Sequence, residues 1–117
     1  MPVRLLSSSV LRWPDGEAVR QSVRSWARET LAAEPLVVRV GYRGSYATGQ
    51  EGVGSDLDLV VIMKTCPLPF ERRGLLFHTS SLPVPCDLLV YTERELEGLL
   101  ARDDRFAREL RYRTVWF

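Results

Sequence analysis

The spacing of hydrophobic positions changes several times along this chain, and each change predicts a different element. In residues 17–33 the apolar side chains recur three or four positions apart, which is typical of a helix with one buried face. Asp15 or Gly16, directly before this segment, can cap its first turn. The residues that recur at this spacing are Val19, Val23, Trp26, Ala27, Thr30 and Leu31.

Four other segments have the composition of β-strands. Residues 36–42 are rich in β-branched side chains, and residues 57–63 form a nearly continuous apolar run. Residues 86–91 follow two nearby prolines and predict a third strand. The C-terminal residues 114–117 predict a short final strand.

Three shorter helices are predicted between and after these strands. Residues 70–79 predict a short helix, and Thr92 with Glu95 has the pattern of a capping box that begins a helix to about residue 102. A last helical turn or two is expected at residues 105–111. The residues of these helices and their flanks that we expect to face the core are Leu75, Leu76, Phe77, Leu96, Leu99 and Leu100.

Together these elements predict one α/β (α+β) domain over residues 1–117. We expect a small mixed β-sheet of about four strands with helices packed on one face. Residues 1–13 are an N-terminal arm whose structure the pattern does not define: it adds a short strand or packs on a partner. The length suits one domain with its own core and leaves no room for a second lobe.

Composition and charge exclude several functions. Sixteen basic and fifteen acidic residues give a net charge of +1, which provides no strong field for nucleic acid or an anionic membrane. No apolar run approaches the roughly 20 residues that span a bilayer, and the N-terminus lacks a secretory pattern. Cys66 and Cys86 lack metal-type spacing and are too few for a disulfide framework. We therefore expect reduced thiols and a cytoplasmic location.

Arginines recur every third residue near the C-terminus and form a predicted basic ridge. The members of this ridge are Arg102, Arg105, Arg108 and Arg111. The acids that balance it in the same segment are Asp103, Asp104 and Glu109. We interpret the ridge as a solvated face, with a surface that docks a partner as the alternative.

The stretch 44–62 carries the candidate chemistry. It opens with a glycine turn at Gly44 and Ser45 and ends in an apolar strand headed by Asp56 and Asp58. Aspartate is depleted in strands, and a carboxylate near a packed core is costly unless it is paired or binds a metal. Because strand side chains alternate, both carboxylates project the same way, roughly 6.6 Å apart. Two such carboxylates beside a glycine turn suit Mg²⁺ and a phosphate chain. The turn alone would be an ordinary connection between strands.

Gly44-Ser45, ten intervening residues and then Asp56-Leu57-Asp58 resemble the signature of the minimal nucleotidyltransferases of the DNA polymerase β superfamily. That family carries a third acidic residue on a neighbouring strand, and Asp87 fits this position. The resemblance covers roughly residues 17–117. It implies a polymerase β-like nucleotidyltransferase fold for this domain.

The resemblance also implies roles for individual residues. Asp56, Asp58 and Asp87 would be the catalytic acids and would hold two Mg²⁺ ions, with Asp87 helping to deprotonate the incoming hydroxyl. Gly44 and Ser45 would hold the β- and γ-phosphates of ATP. Two ions in such a site clamp the attacking and leaving oxygens and stabilise the charge between them.

Two positions beside the glycine turn depart from the family pattern. Thr48 stands where the family often has an arginine, and Arg43 stands where it often has an aromatic residue. Loss of a cation at position 48 would weaken triphosphate binding. Arg43, on the other flank of the turn, is the candidate to compensate.

Small stand-alone members of the family are commonly antitoxins that can transfer AMP to a tyrosine of a HEPN-domain ribonuclease toxin. The resemblance therefore implies a Mg²⁺-dependent protein adenylyltransferase with a HEPN-domain partner, in a homo- or hetero-oligomer. The alternative is a non-catalytic binding module that neutralises its partner by covering it. An antibiotic-modifying enzyme would need an additional domain. Template copying and direct nucleic-acid binding are disfavoured by the near-neutral charge.

Overall fold

A computed structural model describes residues 13–117, so residues 1–12 of the predicted arm 1–13 lie outside the described residues. Four strands and the helices between them alternate along this part of the chain. In chain order the elements are α1 (Gly16–Ala33), β1 (Val37–Arg43), α2 (Ser45–Thr48), β2 (Leu57–Met63), a 3₁₀ helix (Phe70–Leu76), β3 (Cys86–Thr92), α3 (Glu93–Ala101), α4 (Arg105–Tyr112) and β4 (Val115–Trp116).

The four strands form one mixed sheet in the order β3-β2-β1-β4. Strand β1 runs antiparallel to both β2 and β4, whereas β2 and β3 are parallel. Because parallel neighbours need a crossover, the chain leaves β2 through the 3₁₀ helix and a loop before it returns as β3. The predicted fold class, a small mixed sheet with packed helices, is confirmed.

Helices cover both faces of the sheet. On one face, helix α1 packs against β1 in a cluster that also contains Leu57 and Leu59 of β2. On the other face, Leu96 of α3 and Leu110 of α4 pack in one cluster with Val60. The expectation that helices pack on one face is wrong, because β2 is apolar on both of its faces and each face has to be removed from water.

The caps predicted from sequence are present at the helix starts. Asp15 accepts a hydrogen bond from the Ala18 amide at 2.8 Å at the start of α1. Thr92 and Glu95 form the reciprocal capping box of α3, with distances of 2.8 Å and 3.2 Å. Within residues 13–117, no helix is long and apolar enough to cross a membrane.

The 3₁₀ helix differs from its prediction. It ends at Leu76, and the side chains of Leu75 and Leu76 are exposed rather than turned inward. The buried residue of this turn is Arg73, whose guanidinium donates to Glu95 of α3 at 2.6 Å. The ion pair with Glu95 allows the arginine to be buried. Phe77 follows the helix and packs on the core, as expected.

Candidate active site

The glycine turn brings backbone and carboxylate into direct contact. Gly44 ends strand β1 and caps α2 with φ 77° and ψ −153°, a conformation that is essentially restricted to glycine. A Cβ atom added to Gly44 would overlap Oδ2 of Asp58 and lie 3.3 Å from its Cγ. Glycine is therefore required here so that the turn can approach the Asp58 carboxylate.

The three predicted acids, Asp56, Asp58 and Asp87, lie at the end of the sheet where strands β2 and β3 begin. We call this end of the sheet the acidic edge. Asp58 is the second residue of β2 and is in register with Asp87 of the parallel strand β3. Residues in register on neighbouring strands project from the same face. Asp56 lies just before β2 and is close enough for its charge to act on Asp58. Asp58 is half-buried, whereas Asp56 and Asp87 are exposed.

The surroundings of Asp58 make its ionised form unfavourable. Burial raises the pKa of the Asp58 carboxyl, and the negative charges of Asp87, Glu109 and Asp56 raise it further. The Arg43 guanidinium acts in the opposite direction. A partly desolvated carboxylate among other carboxylates is the kind of group that a bound cation would stabilise.

Arg43 reaches this site from strand β1, where it is in register with Asp58. Its Nη1 donates to Oε2 of Glu109 on α4 at 2.6 Å, and its guanidinium lies 5.3 Å from the centre of the Phe106 ring. Its Nε is buried and has no hydrogen-bond partner among the described residues. Glu109 was expected to balance the basic ridge; no local pattern indicates that it pairs with Arg43, because the two residues are 66 positions apart.

Thr48 takes part in the local structure of the turn. Its hydroxyl lies 3.4 Å from the backbone oxygens of both Gly44 and Ser45, to which it donates. Ser45, the second residue of the predicted phosphate-binding pair, is half-buried directly after Gly44. The position at which the family often has a cation thus carries a side chain that hydrogen-bonds its own helical turn.

The loop between α2 and β2 is tied to helix α1. Arg20 forms an ion pair with Glu51 at 3.0 Å and donates to the Tyr46 carbonyl at 3.1 Å. Tyr46 is buried, and its hydroxyl accepts from Trp13 at 3.4 Å and donates to the Ser55 carbonyl at 3.5 Å. These contacts hold the segment that connects the glycine turn to Asp56.

The acidic edge has the donor chemistry of a magnesium site. Among residues 13–117, no group of three His, Cys, Asp or Glu side chains is arranged to hold a metal ion by itself. Mg²⁺ is commonly bound by one or two carboxylates together with water and substrate phosphates. The oxygens of Asp56, Asp58 and Asp87 fit that chemistry when a substrate phosphate supplies further oxygens. The backbone of Gly44 lies directly beside the Asp58 carboxylate.

Comparison with known proteins decides the family. The family model described as "Nucleotidyltransferase domain" matches residues 24–113, which include the glycine turn and all three acids. The chain belongs to this family. No protein with a curated functional description matches it. Membership supports nucleotidyl transfer in general and leaves the roles of the individual residues as predictions.

A solved structure shows the same fold. A crystal structure described as a candidate nucleotidyltransferase from Sulfolobus solfataricus is 19% identical in sequence, with a TM-score of 0.58. The similarity covers 71% of this chain and 75% of that chain. At this identity the likeness shows the fold of the nucleotidyltransferase domain.

Proposed function

We propose that this nucleotidyltransferase domain uses Mg²⁺ and ATP to transfer AMP to a hydroxyl group of a partner protein. The observation that carries this proposal is the juxtaposition of Gly44, Asp58 and Asp87 at one edge of the sheet. The acceptor oxygen would form a bond to the α-phosphorus while the bond to the β-phosphate oxygen breaks. Pyrophosphate would then leave.

Each residue of the edge has a distinct part in this proposal. Asp56, Asp58 and Asp87 would hold Mg²⁺, up to two ions, whose charge would stabilise the α-phosphate of the AMP group during its transfer. Asp87 is exposed, which makes it accessible to an incoming hydroxyl and suits it to accept the hydroxyl proton. Gly44 and Ser45 would contact the β- and γ-phosphates, because no side chain at Gly44 blocks the backbone.

The acceptor would be presented by another protein. The acids at the entrance, Asp56 and Asp87, are exposed, so a hydroxyl on a second chain can reach the edge. The resemblance described above makes a HEPN-domain protein the leading partner, with this chain as its antitoxin in the cytoplasm. Transfer of AMP to a hydroxyl group of the partner would then be the means by which the partner is neutralised.

The test is to mix the protein with Mg²⁺, ATP and the product of the neighbouring gene and to measure intact masses. We expect the partner to gain the mass of one AMP residue, and Asp58→Asn to abolish the gain. Glu29→Gln, which replaces an exposed acid on helix α1, is the matched control and should transfer normally. A partner that binds the protein but gains no mass would overturn the transfer proposal.

The second candidate is a binding module that neutralises its partner without catalysis. Two observations favour it: the acids alone form no three-ligand metal site, and Thr48 hydrogen-bonds its own turn. The double variant Asp56→Asn/Asp58→Asn separates the two functions. Full neutralisation by the double variant would support binding alone, whereas loss of neutralisation with retained complex formation would support transfer.

A further inference from the structure

A basic cleft lies between helix α4 and the turn that follows it. It has a volume of about 440 Å³ and is lined by Arg105, Arg108, Glu109 and Arg113. Residues three and four apart on a helix share a face, which places Arg105, Arg108 and Glu109 along one side of α4. We call this site the arginine cleft.

The predicted basic ridge is divided by the structure. Arg111 does not line the arginine cleft; it lines a separate pocket with Arg39 and Trp116, and it donates to the Leu100 carbonyl at 3.4 Å. Arg113, which was not part of the predicted ridge, lines the cleft instead. A regular spacing of three residues therefore does not place all of these arginines on one surface. Arg105 and Arg108 share the cleft with Arg113 from the following turn, and Arg111 lies in a different pocket.

The acids expected to balance the ridge are engaged elsewhere. Asp104 caps α4 and pairs with Arg102 at 2.6 Å, and Glu109 pairs with Arg43 at 2.6 Å. Within the part of the chain that the structure describes, Arg105 and Arg113 form no ion pair.

Arg108 has only a long, exposed contact of 3.6 Å to Asp103. The arginine cleft thus presents three guanidinium groups against one carboxylate that is already shared with Arg43. An excess of positive charge on one small concave surface is the feature that an anionic ligand would satisfy.

One ion pair joins the arginine cleft to the acidic edge. Glu109 forms part of the cleft wall and binds Arg43, which is in register with Asp58 and directly precedes Gly44. Strand β4 follows Arg113 and pairs with β1 beside Arg43. A ligand in the cleft would therefore contact a wall residue that is ion-paired with Arg43, the residue before the glycine turn.

We propose that the arginine cleft binds phosphate groups of a substrate of the acidic edge. Guanidinium groups recognise phosphate through two parallel hydrogen bonds, and three of them in one cleft suit a polyphosphate or a phosphate close to a reacting hydroxyl. The proposal rests on the function proposed above. The phosphates belong either to the nucleotide or to the acceptor.

The test is a calorimetric titration of inorganic tripolyphosphate at low salt without divalent ions. Arg105→Ala/Arg113→Ala should bind about tenfold or more weakly than the unmodified protein, because charge-assisted hydrogen bonds are lost. The matched control is Arg28→Ala/Arg94→Ala, which removes the same charge from exposed positions on α1 and α3. Equal binding by all three proteins, or an equal loss in both double variants, would overturn the proposal. Circular dichroism checks that each variant is folded.

Two further arms separate this proposal from the function on which it rests. Asp58→Asn should keep tripolyphosphate binding in the absence of metal even where it abolishes transfer; loss of that binding would contradict a separate arginine cleft. Competition with ATP identifies the source of the phosphates. Displacement of tripolyphosphate by ATP would support the nucleotide as the source, and simultaneous binding would support the acceptor.

Discussion

The backbone of Gly44 lies against the carboxylate of Asp58, so closely that a Cβ atom at residue 44 would overlap Oδ2. This contact fixes the position of the turn relative to the strand that carries the acids. The contact also brings together the glycine turn and the Asp56–Asp58 pair. Neither of these two features forms a functional site without the other.

Replacing Gly44 by alanine is expected to destabilise the fold and abolish transfer. The positive φ of 77° alone costs about 1–3 kcal/mol for a residue with a Cβ atom, and Asp58 would be displaced in addition. Urea unfolding and the transfer assay measure the two effects. Gly52→Ala is the control, because its added Cβ would meet no atom within 4 Å. Equal stability of both variants would contradict the contact.

Replacing Asp58 by asparagine is expected to stabilise the fold at neutral pH while removing activity. Burial raises the pKa of Asp58, so its ionised form is the less stable one in the folded protein. The stability that the protonated carboxyl provides is complete below the ordinary aspartate pKa, about 3.9, and is lost as the pH rises through the raised value. The free energy of unfolding of the variant should therefore exceed that of the unmodified protein at pH 7 and equal it near pH 3. A variant that is less stable at pH 7 would contradict this account.

The charges around Asp58 can be tested one at a time by carbon NMR of its carboxyl group. Arg43→Gln should raise the pKa of Asp58, because it removes the cation that lowers it. Asp87→Asn should lower that pKa, because it removes a neighbouring negative charge. Arg39→Gln, on the same strand β1, is the control and should leave it unchanged. Shifts with the opposite signs would show that these groups do not surround Asp58 as described.

Replacing Glu95 by glutamine is expected to cost about 1–2 kcal/mol of unfolding free energy, because it removes the charge partner of the buried Arg73 guanidinium from a carboxylate that is partly exposed. The Arg73 guanidinium lowers the pKa of Glu95. The stability from this pair is therefore present above the ordinary glutamate pKa of about 4.3 and is lost as the pH falls through the lowered value. Glu97→Gln, exposed on the same helix, should change stability little. Similar losses of unfolding free energy in both variants would contradict the ion pair between Arg73 and Glu95.

Local signals in the sequence predicted most elements of the fold. The run over residues 57–63 is strand β2 in full, and α1 begins after the Asp15 cap that its pattern allows. These features depend on residues within one or two turns of each other. The capping box of α3 was predictable for the same reason, since Thr92 and Glu95 are three residues apart.

Long-range ion pairs account for what the sequence did not predict. Arg73 is buried because Glu95 arrives from α3 to neutralise it, whereas the local pattern had placed Leu75 and Leu76, which are exposed, in the core. Arg43 finds Glu109, 66 residues away, and the local pattern suggested instead that Glu109 balances the ridge. The sequence did contain a signal for helices on both faces of the sheet, because the apolar run of β2 is nearly continuous and does not alternate with polar residues.

The most direct measurement of the central claim is calorimetric binding of ATP in the presence and absence of Mg²⁺. We predict that the unmodified protein binds ATP with a marked dependence on Mg²⁺. Asp58→Asn and Asp87→Asn should each lose that dependence and bind the magnesium complex of ATP at least about tenfold more weakly. The control Glu29→Gln, at an exposed position on α1, should keep the dependence on Mg²⁺. Unchanged, magnesium-dependent binding by both Asp58→Asn and Asp87→Asn would contradict the assignment of this edge as the nucleotide site.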